Sequence, residues 1–131
     1  MSDGPEFNVE KHIARFREGA MESWSDALYL IQGKRIFLGL FAAHLAVEKV
    51  IKAHIVKETK NIPPFMHNLN KLAELANIRL TDRQKDVLAD LTSYNIRGRY
   101  QETLGSPPPI PEVKALMRRS KEMFEWLLKT L

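Results

Sequence analysis

The chain has 131 residues, a formal net charge of +4 and no cysteine. That length supports one domain with a substantial core, and the missing cysteine excludes disulfides, cysteine-held iron–sulfur clusters and thiol chemistry. No apolar run approaches the ~20 residues of a membrane helix, and the acidic, polar start lacks a secretory pattern, so a cytoplasmic protein is expected.

Residues 1–8 read as flexible. A first helix is predicted from Val9 to Gln32. Val9, Ile13, Phe16, Ala20, Trp24, Ala27 and Ile31 follow three- and four-residue steps and form one apolar stripe. Lys11, Arg15, Glu18 and Glu22 occupy the opposite side. Gly33 is the expected stop, because glycine accepts left-handed geometry there.

A second helix is predicted over Ile36–Glu58. Phe37, Leu40, Phe41, Leu45, Val47, Val50, Ile51 and Ile55 make it apolar on more than one side, which marks a central helix with neighbours on two flanks. Ala42, Ala43, Ala46 and Ala53 let another backbone approach closely. Glu48 and Lys52 have the favourable i,i+4 order for a helix ion pair.

Pro63 and Pro64 end that helix. A short helix follows over His67–Ala76, with Leu69, Leu72, Ala73 and Leu75 pointing inward and His67 or Asn68 as its cap. Thr81 with Gln84 forms a capping-box pattern for a fourth helix, whose buried side is Val87, Leu88, Leu91 and Tyr94. Gly98 and the run Gly105–Pro111 mark a loop. A last helix spans Pro111–Lys129, with Pro111 in its first turn. The predicted fold is all-α: an antiparallel up-and-down bundle of four main helices plus one short helix, as one domain over 1–131.

Charge is uneven along the chain. Residues 1–33 hold three basic and six acidic side chains, whereas residues 34–60 hold six basic and two acidic ones. A basic end permits contact with nucleotide or nucleic acid, although a solvated lysine-rich helix face has the same composition.

Arg97, Arg99 and Tyr100 are the leading site candidates, with Lys49 and Lys52 extending an anion patch. Two guanidinium groups near a helix end hold a phosphate bidentately. The structural alternative is a helix C-terminus favouring cations, or Arg99 paired with Glu48 or Asp90. His67 has no Asp or Glu at helical spacing to serve as a catalytic partner. His44 and His54 are ten residues apart and cannot share one metal. His44 with Glu48 is an i,i+4 pair, but a bundle metal site draws ligands from several helices, so no metal is expected. No P-loop or dinucleotide fingerprint is present, and no cofactor is expected. Trp24 and Trp126 read as packing residues.

These residues also carry a resemblance. AHLAVEKVIKAHIV at 43–56, Pro64 followed by His67-Asn68-Leu69, and Tyr94 followed by Arg99-Tyr100 together resemble the HEPN domain family over residues 20–130. The resemblance implies a helical bundle that dimerises through its long helices. It further implies partnership with a minimal nucleotidyltransferase in a toxin–antitoxin-like pair, with nucleotide binding. Ribonuclease members of that family carry an Arg followed four to six residues later by a His. No histidine follows Arg97 or Arg99 here, and Gln101 stands where the family's closing RYP has proline. A non-catalytic role is therefore expected. The alternatives are a metal-independent ribonuclease using His67, Arg97 and Arg99, and a structural homodimer without ligand.

Overall fold

A computed structural model describes residues 7–97 and 105–131, and of Arg97 the backbone alone. Five helices occupy them, in the order α1 (Val9–Gln32), α2 (Ile36–Thr59), α3 (Leu69–Leu75), α4 (Asp82–Arg97) and α5 (Ile110–Lys129), with no strand among the described residues.

The ends of α1 follow local chemistry. Asn8 accepts from Lys11 N through its side chain, satisfying one of the orphan donors of the first turn. Phe7 lies against the His12 ring with centroids 4.2 Å apart. Asn8 and Phe7 are thus engaged, while residues 1–6 of the expected flexible start lie outside the described residues. The helix ends at Gly33, but Gly33 has φ −80° and the left-handed residue is Lys34 at φ 62°. Placing the left-handed turn at Gly33 is corrected by one residue. The Gly33 N–H instead closes onto Tyr29 O, and the chain reverses through Lys34 and Arg35.

α2 is buried on nearly all sides, as its apolar residues require. Leu40, Ala43, Ala46, Val47, Val50, Ile51 and Ala53 are fully buried, and Ala42 nearly so. Contacts with α1 pair the two helices in opposite order along the chain. Gly39 lies against Ile31, and Lys49 against Ser23 and Gly19. The closest approach is at Gly39, where a Cβ would sit 2.5 Å from Ile31 Cδ1 and 3.1 Å from Ile31 N. Only glycine fits there without displacing α1.

Lys60 ends α2 in the left-handed conformation at φ 58°. The chain then returns along the bundle through Pro63, which is buried. α3 is shorter than predicted: it begins at Leu69, and Asn68 caps it by accepting from Lys71 N at 3.1 Å. Leu69, Leu72 and Ala73 face the core, but Leu75 is 45% exposed, correcting the inward placement. At about 100° per residue Leu75 lies roughly 120° around the helix from Leu69, off the face that Leu69, Leu72 and Ala73 share.

The predicted capping box is present in both directions. Thr81 N donates to Gln84 Oε1 at 2.9 Å, and Gln84 N donates to Thr81 Oγ1 at 3.2 Å. Val87, Leu88, Leu91 and Tyr94 are buried as expected. α5 begins at Ile110, with Pro111 in its first turn. Trp24 of α1 stacks on Phe124 of α5 with centroids 5.0 Å apart, so this tryptophan is a packing residue. His54 donates to Leu127 O at 2.8 Å and joins α2 to the end of α5.

Candidate functional site

The mid-section of α2 places a carboxylate where packing alone would have put a hydrocarbon. Glu48 lies between Val47 and Val50 in the most buried helix, and its side chain is 7% exposed. A carboxylate withdrawn from water needs compensating donors, since the cost of leaving it unpaired is several kcal/mol. Two groups donate to it and a third lies close by. His67 Nδ1–H donates to Glu48 Oε1 at 2.8 Å. Lys52, one turn on, donates from Nζ to Oε2 at 3.2 Å. His44, one turn back and fully buried, brings Nε2 to 3.9 Å from Oε1.

His67 is held twice. Its ring is fixed by Glu48, and its carbonyl accepts from His44 Nε2–H at 2.9 Å. Donation to a carbonyl assigns the His44 proton to Nε2. The next turn is also fixed, because Leu69 N donates to Thr92 Oγ1 of α4 at 3.2 Å. Yet the His67 side chain remains 45% exposed, and its Nε2 has no hydrogen bond to the described residues. The result is a buried carboxylate, an imidazole oriented through Nδ1, and a second ring nitrogen turned toward solvent. A base held in this way has the geometry of the orienting half of a catalytic triad.

The expectation that His67 lacks an acidic partner is therefore corrected. Glu48 is that partner, but it lies 19 residues earlier, on another helix. Helical spacing could not reveal it. The signal available in the sequence was Glu48 itself, an acid inside an apolar run, which requires a donor from a neighbouring element.

The other candidates fall in different places. Lys52 belongs to the Glu48 cluster. Lys49 turns toward α1, donating from Nζ to Ser23 Oγ at 2.8 Å and lying along Gly19. Arg97 is the last residue of α4, five residues beyond the Thr92 that meets Leu69. Arg99 and Tyr100 lie outside the described residues. Asp90, a proposed partner of Arg99, accepts from Arg119 Nη2 at 3.2 Å, and Glu48 is engaged by His67 and Lys52. Of the remaining histidines, His12 donates from Nδ1 to Asn8 O and His54 to Leu127 O. Burial holds the His54 pKa below its ordinary value; the bond to the Leu127 carbonyl opposes this and nearby Lys57 adds to it.

Among the described residues, no helix is long and apolar enough to cross a membrane. A comparison with curated proteins gives no significant match. The family model of the HEPN domain matches residues 13–131, nearly the whole chain, from within the second turn of α1 through α5. The chain belongs to the HEPN domain family.

Proposed function

We propose that this HEPN protein is the non-catalytic partner of a minimal nucleotidyltransferase, as in toxin–antitoxin-like pairs. In this reading it binds a phosphate-bearing ligand where α2, the segment before α3 and the end of α4 meet. The proposal includes a cytoplasmic setting and one domain over 1–131. The opposite-order contacts of α1 with α2 support the antiparallel up-and-down arrangement proposed for the four long helices.

The Glu48 cluster is the observation that carries the phosphate site. One buried carboxylate is shared by His67 and Lys52, and it offsets at most one positive charge. Lys52, with Arg97 at the end of α4 and Arg99 two residues on in the sequence, brings three positive charges to set against that one carboxylate. Such a surplus favours an anion or an acidic surface. Titration calorimetry with nucleoside triphosphates and a short single-stranded RNA, at about 50 and about 300 mM salt, tests it. Binding that weakens with salt, and that is lost in an Arg97→Ala, Arg99→Ala double variant that stays folded, supports the site. No binding at either salt removes it. Co-purification with the products of adjacent genes, read by mass spectrometry, tests the nucleotidyltransferase pairing.

A second reading rests on the Glu48–His67 hydrogen bond. His67 Nε2 would act as general base or acid on an RNA 2′-hydroxyl, with Arg97 or Arg99 stabilising the phosphate. Incubation with labelled tRNA and mRNA without metal decides it. Cleavage no faster than that of a His67→Ala, Arg97→Ala variant ends this reading.

A homodimer through α1 or α2 is part of the proposal. Met21, Leu28 and Tyr29 on α1 and Leu38 on α2 are large apolar side chains left exposed. Light scattering at tens of micromolar that returns only the monomer mass would exclude it.

A further inference from the structure

The segment between α2 and α3 carries an aromatic side chain that the fold does not use. Phe65 is fully exposed, at 101% of the reference value. Its neighbours are fixed. Pro63 is buried, Met66 N donates to Pro64 O at 3.0 Å and Met66 packs on the core. His67 is pinned through both its ring and its carbonyl. A fully exposed Phe65 and a half-exposed His67 thus flank the inward Met66. Two residues of chain place their Cα atoms within about 7 Å of each other.

The path of the segment sets where this pair stands. His67 lies at the level of Glu48, whereas Lys60 caps the end of α2, twelve residues further on. That is about 18 Å of helix axis. Seven residues span at most about 23–25 Å, so residues 60–67 can run back along α2 with room for the tight turn at Pro64–Met66. Phe65, two residues before His67, therefore stands next to the imidazole whose partner Glu48 also holds Lys52. No Asp or Glu occurs between Glu58 and Glu74, while Lys60, Lys71 and His67 do. The segment itself thus carries basic residues and no acid, and the one carboxylate beneath it, Glu48, is already engaged by His67 and Lys52.

We propose that Phe65 is a base-stacking platform, and that with His67 and Lys52 it receives one unpaired nucleotide, the base on the Phe65 ring and the phosphate toward His67 and Lys52. This rests on the phosphate site proposed above and specifies its ligand as a nucleotide rather than a bare anion. A ring face accepts any base, and a cation beside it holds the backbone, which is how single strands are bound without sequence readout. An apolar protein partner is less favoured. Ile62 is the one other large apolar side chain exposed on this segment, and two such residues fall short of the desolvated centre of a stable interface.

Calorimetry with AMP, ribose 5-phosphate and a short single-stranded oligoadenylate tests the proposal on the intact chain and on Phe65→Ala and Phe65→Trp variants. AMP is expected to bind more tightly than ribose 5-phosphate. Phe65→Ala should weaken AMP about ten-fold while leaving ribose 5-phosphate and the thermal midpoint unchanged, because the ring stabilises only the base. Phe65→Trp should keep the affinity and show quenched fluorescence on binding. Oligoadenylate binding above that of AMP identifies RNA as the source of the nucleotide, and equal binding identifies the free nucleotide. AMP affinity unaffected by Phe65→Ala overturns the platform while leaving the phosphate site standing. Failure of all three ligands to bind overturns both. Loss of a co-purifying protein in Phe65→Ala, with AMP binding intact, also overturns it and assigns the ring to a protein interface.

Discussion

The α1–α2 seam and the corner around His67 solve the same problem by opposite means. At the seam, backbones approach because Gly39 is bare and Ala42, Ala46 and Ala53 are small, and the Lys49–Ser23 hydrogen bond beside them holds no buried carboxylate. At the corner, Glu48 is nearly as buried as those alanines, but it is kept there by hydrogen bonds of defined geometry from His67 and Lys52. Packing tolerates any apolar side chain of the right volume. A buried carboxylate tolerates no loss of its donors. The seam stabilises a fold, while the corner fixes one imidazole in one orientation.

The comparison is sharpest where the charge is removed. Glu48→Ala should cost about 3 kcal/mol, since it deletes the acceptor shared by two donors and leaves His44 and Lys52 in a buried setting. His67→Ala should cost less, because its side chain is 45% exposed and Lys52 still compensates Glu48. A double-mutant cycle between the two positions isolates the pair. Ala46→Leu at the seam should cost about 1–3 kcal/mol through overpacking. Chemical denaturation measures all of these. If Glu48→Ala proved milder than Ala46→Leu, the corner would be relaxed enough to hydrate, and the claim of a fixed imidazole would fall with it.

The two regions were also unequally legible in the sequence. The extents of α1 and α2, the burial of Ala42, Ala46 and Ala53, and the Thr81–Gln84 capping box follow from periodicity and local hydrogen bonding. These signals live within one helix or one turn. Glu48 and His67 meet across a proline-interrupted segment, and no spacing rule relates residues on different elements. The closest helix approach was hidden for the same reason. Gly39 reads as an ordinary glycine until Ile31 is brought against it. Leu75 misled because its apolar character suggested an inward face, although its angular position two residues after Ala73 turns it outward. Arg99 and Tyr100, the sequence's leading candidates, lie outside the described residues, so the site is defined here from its Glu48 side.

A smaller effect tests whether local signals are as independent of the corner as they look. Thr81→Ala removes the acceptor for Gln84 N and should cost about 1 kcal/mol, the usual value for an N-cap. In combination with Glu48→Ala the two costs should add, because they share no partner. Clear non-additivity in denaturant midpoints at constant slope would show that α4 transmits strain from its start to the corner.

The smallest effect concerns a histidine outside both regions. His54 joins α2 to α5 through Leu127 O, and burial lowers its pKa against the opposing pull of that carbonyl. A depressed pKa means that the folded state favours the neutral ring. Above the unfolded value, about 6.5, both states are neutral and the full stability is present. As pH falls below that value the unfolded chain binds a proton that the folded chain resists, so stability declines until the folded value is passed. Thermal midpoints measured from pH 7.5 downward should therefore drop on entering this window. His54→Gln keeps an amide donor without a titrating group, so this part of the decline should disappear. His67, tied to Glu48 at the corner, is the control: if His67→Gln rather than His54→Gln flattened the profile, the proton-linked instability would belong to the corner and not to the α2–α5 contact.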